Sequence, residues 1–196
     1  MIYIDDRMKI NKYVFLITAV TVIAIAAVVL LLSGTKTASA QSSPQLAQFT
    51  ALSHATSDQC AYLGNQAAIY NNINMMPNDT YFQGSCCSPM DYNHYTQQIT
   101  DLKNYSSISA IPQNPYNVSV AQVKQLLGYY TNITLNQSQS ATFNQAMPLM
   151  QDKSWCCCQC WAWYAHAGLG KYLIKYYNYN ATQVARIMDL EDCCGG

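Results

Sequence analysis

Hydrophobic positions along this 196-residue chain follow two patterns. The first is a block. Residues 13–33 begin with "YVFLITAVTVIAIAAVVLLL", twenty consecutive positions without a charge. A helix of that length, at 1.5 Å per residue, spans the roughly 30 Å hydrocarbon core of a bilayer. Arg7, Lys9 and Lys12 precede the block, and the next basic residue after it is Lys36. That asymmetry predicts a cytoplasmic N-terminus, residues 1–12, with everything beyond residue 33 outside. Two readings stand for the block: a retained transmembrane anchor, or a signal segment removed after Ala40, where "ASA" offers a cleavage site. Both export the rest of the chain. Residues 34–44 are small and aperiodic, and read as a linker.

The second pattern is periodic and begins at residue 45. Leu46, Phe49, Leu52, Ala55, Cys60, Leu63, Ala67 and Tyr70 recur mostly at steps of three and four, which predicts one amphipathic helix. Ser88-Pro89 opens another, with Met90, Tyr95, Ile99 and Leu102 on its inner face. Asn117 or Ser119 caps a stripe of Val120, Val123, Leu126 and Leu127. Ser138 or Ser140 starts a helix that Pro148 interrupts or kinks. Residues 159–177 give a longer aromatic helix, and Asn180 or Thr182 caps a last short one. Alternating, strand-like runs are few. The predicted fold class is all-α: an N-terminal transmembrane helix plus a small Cys-rich bundle of five or six helices over residues 45–196.

Charge changes the picture little, and sequons more. Only 10% of residues are charged, against about 25% in ordinary soluble domains, and the formal net charge is zero. Without a basic patch, nucleic acid is not an expected partner. The N-x-[ST] pattern occurs at Asn78, Asn104, Asn117, Asn132, Asn136 and Asn180, which predicts glycosylated, exposed loops on an exported domain.

The chemistry lies in the nine cysteines. They fall at Cys60, Cys86-Cys87, Cys156-Cys157-Cys158 with Cys160, and Cys193-Cys194. An exported chain predicts disulfides, and an odd count leaves at least one thiol over. Adjacent cysteines seldom bridge each other, because disulfide geometry wants Cα atoms about 4.4–6.8 Å apart. The alternative is a metal. If the segment is extended, Cys156, Cys158 and Cys160 share one face, and three converging thiolates suit Cu(I) or Zn(II). Cys86, Cys87, Cys193 and Cys194 would complete the ligand set. Cys157 would point the other way and, with Cys60, is the disulfide candidate.

His166, six residues past Cys160, is a further possible ligand, as are Met90 and His94, which stand at i and i+4. Met75, Met76, Met147 and Met150 are thioethers that serve equally as core filler. Asp189, Glu191 and Asp192 read as a solvated helix end. No C-x-x-C-H haem motif, nucleotide-binding glycine loop or nucleophile motif is present.

The C-x-C-x-C spacing followed by "GLGKYLIKYYNYNATQVARIMDL" resembles the PCYCGC-motif proteins, exported and membrane-anchored, over roughly residues 145–196. Trp155, Cys157 and Gln159 replace that motif's proline, tyrosine and glycine. More broadly, "GSCCSPMDYNHY", "CCCQCWAWY" and "DLEDCCGG" resemble uncharacterised archaeal Cys-rich exported proteins. Both resemblances imply export, helical structure and a thiol site. The resulting expectation is a membrane-anchored protein that binds a soft metal, copper or zinc, for capture, buffering or delivery to a metal-receiving protein. The alternative is a disulfide-stapled subunit of a membrane-protein or cell-envelope assembly.

Overall fold

Short polar caps decide where the helices of this chain begin. Ser43, Asn65, Asp91, Ser119, Asn136 and Asn180 each hold non-helical backbone and accept the amide N–H three residues on. Each satisfies one of the donors that a helix start leaves unpaired. At Asn136 and Asn180 the bond is reciprocal, because Gln139 and Gln183 accept the cap's own N–H.

The computed structural model describes residues 43–55 and 65–195, all within one unit spanning residues 42–196. Its helices are α1 (Pro44–Ser53), α2 (Gln66–Met75), α3 (Tyr92–Leu102), α4 (Val120–Asn132), α5 (Gln137–Ala146), α6 (Trp161–Tyr177) and α7 (Ala181–Leu190). Strands β1 (Tyr81–Gln83) and β2 (Asn117–Ser119) pair antiparallel, with Phe82 opposite Val118.

The mostly helical fold is as expected, and three details differ. Among the described residues seven α-helices stand where five or six were expected, because the helix expected from residue 45 onward is two, α1 and α2. Two strands appear where none was read. Each is three residues long, with only its middle side chain buried, too short for alternation to register. α3 begins at Tyr92 behind Asp91 and not at Ser88-Pro89, so Met90 precedes the helix and is no i, i+4 partner of His94. Among the described residues no helix is long and apolar enough to cross a membrane. Residues 1–12, the segment 13–33 and the Ala40 site lie outside the described residues.

The core centres on α6, where eleven of seventeen residues are buried. Its closest neighbour is α4, and glycine sets the approach. A Cβ at Gly168 would stand 2.1 Å from the Leu126 carbonyl oxygen. Only a residue without a side chain lets the two backbones come this close. Two residues further along the same helix, a Cβ at Gly170 would meet the Trp155 ring at 2.7 Å. Gly170 therefore makes the slot into which the segment before α6 folds. α6 ends at Asn178 in the left-handed conformation, φ 55°.

Candidate metal centre

Residues 151–160, which carry four cysteines, form neither helix nor strand. α5 stops at the 3₁₀ turn Met147–Leu149 around Pro148, and the chain reverses through Lys153 at φ 54°. Side chains then pin it at intervals. The Gln151 amide donates to Asp189 Oδ1 at 2.9 Å, and Trp163 Nε1 donates to Ser154 Oγ at 3.3 Å. His166 Nδ1 lies 2.7 Å from the Trp155 carbonyl, so that nitrogen carries a proton and donates. Trp155 stacks on Phe143 and Trp161 on Phe82, each pair with ring centroids 4.4 Å apart.

The C-terminal tail closes the site from the other side. Cys86 N–H donates to the Cys193 carbonyl and Ser88 N–H to the Cys194 carbonyl, both at 2.9 Å. Gln98, buried in α3, donates through Nε2 to the carbonyls of Leu190 and Asp192 at 3.2 and 2.7 Å. Gly195, at φ 96°, leaves room against Ser88 that a side chain would fill. Three distant stretches of chain thus meet: 86–88, 156–160 and 193–194.

Cys87, Cys156, Cys157, Cys158, Cys160, Cys193 and Cys194 carry thiols, whereas Cys86 is disulfide-bonded. Cys60 lies outside the described residues. Sulfurs of Cys87, Cys157 and Cys194 lie within 4.8 Å of one another, as do those of Cys156, Cys157 and Cys158. Cys156 Sγ is 3.9 Å from Cys160 Sγ and 3.7 Å from Cys194 Sγ. Cys157 Sγ is nearer its neighbours, 2.9 Å from Cys87 and 2.8 Å from Cys194. Cys156, Cys160, Cys193 and Cys194 are buried; Cys87 and Cys157 face solvent.

Burial makes charge costly here. It pushes Cys157 up to about 12, and raises Cys158 and Cys193 as well. The hydrogen bond with Cys156, followed by burial, raises Cys160. At Cys194 the hydrogen bond with Cys156 pulls down, but burial and the bond to Cys157 win, leaving it near 12. Cys156 is raised too: its bond to Cys160 pulls down and is outweighed by Cys194 and burial. At neutral pH these groups are thiols, and only an incoming cation makes several thiolates tolerable together.

The expected ligands separate under this geometry. Cys156, Cys158, Cys160, Cys87, Cys193 and Cys194 are brought together. Cys86 Sγ lies within 4.8 Å of Cys158 and Cys160, but its disulfide withholds a thiolate. Cys157 does not point away, because the segment bends and its sulfur sits between Cys87 and Cys194. His166 is a brace: buried, committed to the Trp155 carbonyl, and with its pKa lowered by burial. His94 lines a groove with Asp101 and Arg186 and joins no thiol group among the described residues. Met90 is half-buried against the core.

Glu191 is not part of a solvated helix end. It is 1% exposed, and burial raises its carboxyl well above the usual range. Its Oε1 and Trp161 Nε1 are buried without hydrogen-bond partners and line one small cavity with Cys193. Sequence patterning placed Glu191 at a solvated end and His166 among the possible ligands, and gave no sign that Gln98 pins the tail. The small pair in "GLG" mid-helix was the one signal for the close approach. Of the sequon asparagines, Asn78, Asn104, Asn132, Asn136 and Asn180 are exposed and Asn117 is half-buried in β2.

No family model matches the chain, no curated protein is similar to it in sequence, and no solved structure matches its fold.

Proposed function

We propose that the chain binds a soft d¹⁰ metal ion through Cys156, Cys160 and Cys194, with Cys158 and Cys193 as further ligands. One observation carries this reading: Cys156 Sγ stands 3.9 and 3.7 Å from Cys160 and Cys194. A tetrahedral ion with sulfurs at about 2.3 Å separates its ligands by about 3.8 Å. Each of these two pairs therefore stands at the spacing of two sulfurs sharing an ion, with Cys156 common to both. All-sulfur donors in a buried pocket favour Cu(I), with Zn(II) second. The role is capture, buffering or delivery, from a position outside a membrane to which residues 13–33 anchor the domain. Five exposed sequon asparagines support export.

The test is direct. The full-length chain, purified under reducing conditions in mild detergent, is exposed to Cu(I) or Zn(II), desalted and assayed for metal and thiols. At least one ion per chain is expected, with the alkylation of Cys156 and Cys160 suppressed. A chain that emerges without metal from both incubations overturns the reading. The disulfide at Cys86 favours the second reading, a stapled assembly subunit, and that reading predicts no metal and intact folding without it.

A further inference from the structure

Two of the thiol contacts are too short for metal sharing. Cys157 Sγ lies 2.9 Å from Cys87 and 2.8 Å from Cys194, nearly 1 Å inside the spacing of two sulfurs on one ion. It is also less than 1 Å outside the bond length of about 2.05 Å. Cys157 can become bonded to either neighbour with little movement, and access decides which. Cys87 and Cys157 both face solvent, whereas Cys194 is 8% exposed. Backbone hydrogen bonds from Cys86 to Cys193 and from Ser88 to Cys194 flank Cys87 and hold its segment against the tail. The adjacent Cys86 is already oxidised, so disulfide chemistry operates on this stretch.

From this we infer that Cys87 and Cys157 form a redox-active dithiol at the rim of the site, closing to a disulfide at the expense of a small-molecule disulfide. The exchange proceeds in two steps. The thiolate of Cys87 attacks one sulfur of the small disulfide, giving a mixed disulfide and releasing one thiolate, which takes up the proton Cys87 lost. Cys157, having given up its proton, then attacks the Cys87 sulfur, forms the Cys87–Cys157 bond and releases the second small thiol. Two protein thiols are oxidised and one disulfide is reduced to two thiols. Closure leaves Cys156, Cys158, Cys160, Cys193 and Cys194 in the reduced state. The rim senses the redox poise while the inner sulfurs keep the spacing of a metal site. This inference does not depend on a metal being bound.

The test uses the full-length chain, stripped with a chelator and incubated with oxidised glutathione. Remaining thiols are then alkylated and the peptides mapped without reduction. The expected result is the loss of two thiols, a Cys87–Cys157 cross-linked peptide and no lasting glutathione adduct. A dominant Cys157–Cys194 cross-link overturns the inference, as does a glutathione adduct that persists on Cys87 or Cys157. In Cys157→Ser no Cys87 cross-link should form and a glutathione adduct should stay on Cys87; a variant that leaves Cys87 unmodified overturns the inference. Because the experiment is done without metal, its failure leaves the metal reading standing. Failure of the metal assay likewise leaves the dithiol untouched.

Discussion

The α4–α6 pair and the 151–160 segment, which runs directly into α6, are held in place by opposite means. The helices interlock through backbone contact at Gly168 and a stripe of buried Val120, Val123, Leu126 and Leu127. That interface also carries Lys171 over the Tyr130 ring and a Tyr129–Tyr172 stack, but none of the residues named here is a thiol. The thiol segment has no regular hydrogen-bond ladder and is held at points: Asp189, Ser154, His166 and two stacked rings. A region held mainly by close packing responds weakly to pH, metal and redox state. One pinned by single polar contacts responds to all three, and this one stays ordered because the rigid pair carries most of the pins.

The comparison breaks first at Gly168. Gly168→Ala drives a methyl into the Leu126 carbonyl, which is backbone and cannot rotate away. We expect a loss of about 3 kcal/mol or more in denaturant unfolding, because overpacking against fixed atoms costs this much. A loss under 1 kcal/mol would show that the helices slide apart freely.

His166→Leu tests the other side. It leaves the Trp155 carbonyl buried and unpaired, at a cost of about 2 kcal/mol. Unlike Gly168→Ala, it should also expose the site, raising the alkylation rate of Cys156 several-fold in the native state. An unchanged rate would mean that the ring stacking alone fixes the segment.

The pH response sharpens the contrast further. Burial raises Glu191 in the folded chain, so the folded state keeps a proton that the unfolded state gives up above about pH 4.5. Its stabilisation is complete in acid and declines as pH rises towards the folded pKa, with a slope of up to about 1.4 kcal/mol per unit. Burial lowers His166, so the unfolded state protonates first on acidification, and stability falls as pH drops below about 6.5. The two slopes oppose each other between about pH 4.5 and 6.5; above that Glu191 continues, and the raised thiols add a loss of the same sign as pH approaches the ordinary thiol value. Metal-free chain should therefore lose stability as pH rises just above about 6.5, before the thiols contribute, and Glu191→Gln should flatten that first part of the decline. An unaltered decline in the variant would assign it elsewhere.

The smallest effect is predicted at Ser119→Ala, which removes the α4 cap for about 1 kcal/mol. Thiol reactivity should not change. If Cys156 became more reactive, the helical frame would be less independent of the site than the geometry implies.

Helices were legible because their causes are local. Val120, Val123, Leu126 and Leu127 state a helical face within eight positions, and Ser119 and Asn180 were both recognised as possible caps. The caps at Asp91 and Asn136 were missed because Ser88-Pro89 and Ser138 offer the same chemistry a few residues away, and only packing chooses between them. The extended reading of 156–160 failed because the Cys160 N–H turns back to the Cys158 carbonyl at 2.9 Å, which bends the segment.

By itself, then, the sequence determined the helical class, the apolar block and the positions of the cysteines. These follow from residue type and short-range period. The tertiary structure alone decided which sulfurs meet, that Cys157 turns towards Cys87 and Cys194, that His166 braces rather than ligates, and that Glu191 is buried. The sulfur contacts join positions 70 and 37 residues apart. Closing loops of that length depends on how α3, α6 and α7 pack, and no local pattern records it.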